Sequence, residues 1–287
     1  MRGRFAASGL SLVLLLSSAL AAESPDFVAL GDDAYARRAD GNDGYQAALD
    51  PISTAIGAYE EALANEPESQ IVRSKLLRAL FYLGDYVLSK PEAKLPVFER
   101  GRILADEGIT QLLAGTAFDR RSGKRFDDLV RHLDAEPGAA AIYYWAAVHW
   151  GLWGRYKGKI AAARQGVAGK VRDYATIVIA LDPGYEDGGG HRMLGRLHAE
   201  APRLPFITGW VNRKTAISEL EKARTMSGDA LTGLYFAEAL LEYDSSRRHH
   251  ALTVLREVAG KTPSPDHYLE ELRAIQNART LLESLGG

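Results

Sequence analysis

The chain has 287 residues, 46% of them hydrophobic and 25% charged, enough apolar material for a sizeable core in one large or two ordinary domains. A formal net charge of −2 gives no basic footprint for nucleic acid. The absence of cysteine excludes disulfides, thiolate metal sites and thiol catalysis.

The first residues read as a targeting segment. Arg2 and Arg4 precede the apolar stretch Gly9 to Leu20, and Ala19-Leu20-Ala21 places small residues at cleavage spacing. The stretch is shorter than the ~20 residues that span a bilayer. Residues 1–21 are therefore expected to be a cleavable signal peptide, processed between Ala21 and Ala22, and not a membrane anchor. No cysteine follows, so a lipid anchor at a lipobox is ruled out. Residues 22–287 are expected to form a single all-helical domain, soluble and periplasmic.

Beyond the signal the pattern is helix after helix. In "AIGAYEEALANEP", Ala55, Tyr59, Ala62 and Pro67 recur at the spacing of a tetratricopeptide second helix. Small residues there let paired helices approach, the aromatic fills the gap beside them, and proline ends the helix. Ile71 to Leu88 reads as a long first-helix partner with Leu76, Leu80 and Leu83 on one face. Insertions are expected at Lys90–Pro96 and Ala114–Arg125, around shorter amphipathic helices at Gly101–Leu113 and Phe126–Leu133.

Ala139 to Gly154, "AAAIYYWAAVHWGLWG", is apolar around most of its circumference, as a buried helix should be. Its Trp145 and Trp150 either fill the core or line a pocket, and His149 reads as a hydrogen-bonded core histidine or a ligand contact. "TIVIALDP" keeps the repeat's ending at Leu181 to Pro183, and Ala216, Leu220 and Ala223 repeat its spacing. Asp229–Tyr243, Arg247–Ala259 and Pro265–Leu285 complete the helices. The fold class is all-α, an irregular tetratricopeptide-like α-solenoid of helical hairpins.

The segment "DPGYEDGGGHRMLG" lacks the lysine of a phosphate loop and the preceding strand of a dinucleotide fold. His191 and His198 have no acidic partner at zinc spacing, and no nucleophile–base pair stands out, so no metal, cofactor or catalysis is expected. The triple glycine permits positive φ and close backbone approach, and positive φ at Gly189 would make a β-branched residue there destabilising. Arg192 with the amides of the following helix start can hold a carboxylate. The alternative is a close-packed corner in which Arg192 pairs with Asp182 or Asp187.

Leu181, Asp182, Pro183, Tyr185, Gly188, Gly189, Arg192, Leu194, Gly195, Arg196 and Pro202, with the Tyr-Trp helix before them, resemble the T component of tripartite ATP-independent periplasmic (TRAP) transporters. The resemblance is specific from about Ala139 to Met226. It implies a non-enzymatic periplasmic accessory protein that works beside an extracytoplasmic solute-binding protein and a small organic acid, and self-association is compatible with it. Members are often lipoproteins, a point on which this chain departs. Candidate ligand-binding residues are Trp145, His149, Trp150, Tyr185, Gly189, His191 and Arg192. The other function class is a repeat scaffold for protein–protein interactions in the cell envelope.

Overall fold

Asp26 opens the first helix by accepting the amide of Ala29 on its carboxylate, and the same device recurs along the chain. Ser69, Asn212 and Asp229 each cap a helix that begins at the next residue. The computed structural model describes residues 25–114 and 126–286. The expected signal segment with its processing point, and all but the first residue of the insertion expected at Ala114–Arg125, lie outside the described residues.

The described helices are α1 (Phe27–Ala36), α2 (Leu49–Asn65), α3 (Gln70–Tyr82), α4 (Pro91–Leu112), α5 (Phe126–Asp134), α6 (Ala139–Lys157), α7 (Lys159–Arg164), α8 (Val167–Leu181), α9 (Tyr185–Glu200), α10 (Arg213–Met226), α11 (Ala230–Tyr243), α12 (Arg248–Ala259) and α13 (Tyr268–Ser284). There is no strand among the described residues. Lys90–Pro96 is not an insertion: Pro91 stands at the first position of α4, where a missing amide costs nothing, and the helix carries Pro96 near its start. A π-helical turn, Leu83–Val87, follows α3 without a break.

The helices stack in two layers. α1, α3, α6, α9, α11 and α13 alternate with α2, α4, α8, α10 and α12, each packing on its chain neighbour; in the first of these layers, the inner one, α3, α6, α9, α11 and α13 also pack each on the next. The repeat residues serve this packing. Tyr59 and Ala55 are fully buried, and a Cβ at Gly31 of α1 would stand 2.4 to 2.6 Å from the Tyr59 ring. In α10, Ala216, Leu220 and Ala223 are fully buried, and a Cβ at Gly195 of α9 would meet the Leu220 Cγ at 2.6 Å. The architecture is an all-α tetratricopeptide-like solenoid.

The last helix returns to the first ones. Leu269 of α13 joins the core of Tyr35, Tyr59, Tyr82 and Tyr86. Arg38, buried just after α1, donates to Glu270 at 3.0 Å and to the Asp266 carbonyl. Arg273 donates to Asp85 at 2.8 Å and lies 4.0 Å over the Tyr86 ring. The inner layer is thereby closed from α1 to α13.

Candidate functional site

A kink at the start of α9, just after Tyr185, is the most strained backbone among the described residues. Glu186 (φ 48°), Asp187 (φ 56°) and Gly188 (φ 76°) are successive left-handed residues, a conformation that costs a non-glycine residue ~1–2 kcal/mol. Arg192, one turn further, holds it in place. Its Nη2 donates to the Glu186 carbonyl at 3.1 Å and to the Tyr144 hydroxyl at 3.4 Å. Its Nη1 reaches Thr232 at 3.2 Å, the Asp187 carbonyl at 3.4 Å and Asp229 at 3.5 Å. Burial opposes this charge, but Tyr144 and Asp229 outweigh it and hold the guanidinium firmly protonated. The chain itself supplies the oxygens that the sequence assigned to a bound carboxylate, and the carboxylate is Asp229, not Asp182 or Asp187.

The positive φ lies at Gly188, not at Gly189. Gly189 is needed for space: a Cβ there would stand 2.6 Å from the Tyr144 ring. Tyr144 packs edge-on against Tyr185 (5.3 Å) and Trp145 (5.0 Å). Trp145, Tyr185, Gly189 and Arg192 are therefore gathered around one residue, Tyr144.

The other candidates stand elsewhere. Trp150 lies in a separate cluster with Phe98 and Trp153, donating to Asp106 at 2.8 Å, with the Lys170 ammonium 3.5 Å from its ring. It does not share a border with Arg192. His149 is fully buried with Nε2 2.9 Å from the Leu77 carbonyl, and burial pushes its pKa down to about 4. His191 is buried against Glu219, Nδ1 to Oε2 2.6 Å. Burial pushes the Glu219 carboxyl up, but the hydrogen bonds from Lys222 and His191 prevail and hold it below its ordinary value. Among the described residues no three His, Asp or Glu side chains gather as a metal site.

The structure adds residues that the sequence reading passed over. Arg78 of α3 stacks 4.1 Å over the Tyr35 ring, its charge is felt at Tyr185, and it forms no ion pair among the described residues. Tyr35 meets Tyr82 edge-on at 6.2 Å, Tyr82 stacks on Tyr86 at 5.0 Å, and Tyr235 of α11 is felt at Tyr86. Arg196 lies 4.1 Å over Tyr235. Burial pushes the Tyr35 phenol up to about 12 and raises those of Tyr185 and Tyr235 as well.

Arg78, Tyr185, Arg196 and Tyr235 nevertheless remain partly exposed. All four stand on helices of the inner layer, Arg78 on α3, Tyr185 and Arg196 on α9 and Tyr235 on α11. Around Tyr35, Arg78 Nε, the Tyr82 hydroxyl and Glu270 Oε2 are buried polar atoms without hydrogen-bond partners among the described residues, a state that native structures rarely leave unexplained.

The whole arrangement is similar to TTC0263, a thermophilic TPR protein of Thermus thermophilus known from its crystal structure. The two superpose with a TM-score of 0.51 at 15% identity, covering 90% of this chain and 96% of that one. No family model matches the chain, and no curated protein matches it in sequence. The likeness is one of fold.

Proposed function

We propose that the chain is a non-catalytic binding protein, a tetratricopeptide-like scaffold of the cell envelope that holds its partner against the inner wall of the solenoid. The observation that carries this reading is the inner layer itself: Arg78, Tyr185, Arg196 and Tyr235 stand partly exposed on three of its helices, with Arg78 stacked on Tyr35 and Arg196 on Tyr235. Aromatic faces with arginines among them suit an extended, acidic peptide segment or a small acid. Tyrosine supplies rigid contact area, and guanidinium matches a carboxylate. The cation for that contact is Arg78, since Arg192 is saturated by the chain.

A narrower reading is favoured by the resemblance of Ala139–Met226 to the TRAP T component. There the partner is an extracytoplasmic solute-binding protein and the small ligand an organic acid, and the protein acts in the periplasm after removal of residues 1–21. Calorimetric titration with a TRAP solute-binding protein from the same genome, with and without its acid, tests it. Binding that weakens at least about tenfold, ~1.4 kcal/mol, in Arg78→Ala supports both readings. Absence of binding under all these conditions retires the narrower one and leaves the scaffold.

A further inference from the structure

Away from the inner wall, the densest run of exposed apolar side chains lies in the loop 201–212 between α9 and α10. Leu204, Phe206 and Ile207 project there, and Phe206 is completely exposed at 108%. The chain holds this ring outward at φ 65°, a conformation that a bulky residue avoids. Thr208 fastens the loop: its hydroxyl accepts from the Leu204 amide at 2.9 Å and donates to the Pro202 carbonyl, while its own amide donates to the Leu204 carbonyl at 2.9 Å. Arg203 Nε closes it further onto the Gly209 carbonyl at 3.1 Å. The apolar tip is a built projection.

Two basic segments adjoin it. Residues 201–214 contain Arg203, Arg213 and Lys214 and no Asp or Glu. Residues 152–172 contain Arg155, Lys157, Lys159, Arg164, Lys170 and Arg172, again without a carboxylate. The fold joins the two segments: Arg155 pairs with Glu200 at 3.6 Å beside the loop, and Arg172 stacks 4.6 Å over Trp210 within it. Lys157, Lys159, Arg164, Arg203 and Lys214 are exposed and form no ion pair among the described residues. Ile160, 72% exposed, adds an apolar side chain to the basic segment. At the root of the tip, Arg203, Trp210 and Arg213 line an open cleft of about 220 Å³.

We propose that this face seats the protein on an anionic phospholipid surface. Phe206, Ile207 and Leu204 enter the boundary between headgroups and acyl chains, the flanking lysines and arginines meet lipid phosphates, and the cleft beside Trp210 accepts a headgroup. An apolar tip flanked by basic segments, with an indole at its root, is the composition that binds an interface by burial and charge together. Nucleic acid would use the cations and leave the projecting phenyl ring without a role. A protein groove complementary to the tip would have no need of basic residues on both flanking segments. No described helix is long and apolar enough to cross a membrane, so the association is peripheral.

The test is co-sedimentation of the mature chain with vesicles of phosphatidylglycerol and phosphatidylethanolamine, compared with phosphatidylcholine vesicles. Binding is expected only with the anionic lipid, and it should fall at least about tenfold between ~0.05 M and ~0.5 M salt. Phe206→Gly relieves the backbone strain and so keeps or raises the melting temperature, while removing the inserted ring. It and the triple change Lys157→Glu, Lys159→Glu, Arg164→Glu should each reduce vesicle binding about tenfold or more. No sedimentation with anionic vesicles, or sedimentation unchanged in both variants, overturns the proposal. So does a Phe206→Gly protein that binds vesicles normally but loses a protein partner, which would assign the tip to a protein interface.

Discussion

Arg38 and Glu270 are separated by 232 positions in the chain and by 3.0 Å in space. The pair closes the inner layer, and Arg38 is too deeply buried to find water when its partner is removed. Glu270→Ala should therefore cost about 3 kcal/mol in urea denaturation, the order expected when one half of a buried ion pair is removed. Amide exchange should quicken first in α13 and in the Leu83–Val87 turn, because terminal repeats open separately from the rest. Unchanged exchange in both segments would show that Leu269 and its neighbours close the ring unaided.

Gly189 is required for space, not for its φ. Gly189→Ala should cost roughly 1–3 kcal/mol by overpacking against Tyr144, and Tyr144→Ala in the same chain should recover part of that loss. A double-mutant cycle reads the coupling between the two sites. Additive effects would mean that the new methyl group meets something other than the tyrosine ring.

Arg192→Gln separates a structural arginine from a ligand contact. With two carbonyls, Asp229, Thr232 and Tyr144 on its guanidinium, the change should lower stability by about 2–4 kcal/mol, seen as a depressed Tm. A Tm within error of the wild type would mean that the left-handed turn at Glu186–Gly188 stands without its brace.

Acid should weaken the fold through His149. Its folded pKa of about 4 lies below the ordinary 6.5, so the unfolded chain binds the proton more tightly. Stability contributed by the neutral ring is complete above pH 6.5 and is lost as pH falls towards 4, to a total of roughly 3 kcal/mol. His149→Gln should flatten the pH dependence of stability in that window. An unaltered slope would place the acid sensitivity in other groups.

Most of the helical framework was legible because repeat packing restricts residue type. Ala55, Tyr59 and Ala62 of α2 and Ala216, Leu220 and Ala223 of α10 occupy the buried positions that their spacing assigns. The start of α4 was not legible, because two prolines read as punctuation when one of them is a helix-opening residue. Ring closure was not legible either, since it joins α13 to α1 through the cumulative turn of the whole stack.

At the site, Tyr185, Gly189 and Arg192 came together because the turn is local. Trp145 and Trp150 parted because five residues on a helix are ~140° around its axis. Arg78 was hidden inside an otherwise apolar pattern. The basic face escaped notice because a net charge near zero averages it away, and because its two segments are separated in the chain by the rest of α8 and by α9.

The central claim is that partners bind the inner wall. The chain has no cysteine, so single substitutions give site-specific cross-linking without background. Tyr235→Cys and Met193→Cys place a thiol on the inner layer, and Thr253→Cys places one on the exposed side of α12. Each variant carries a photo-activated cross-linker and is irradiated in cells that produce it. The account predicts the same covalent partner from Tyr235→Cys and Met193→Cys and none from Thr253→Cys. Cross-links that form from Thr253→Cys alone would contradict it.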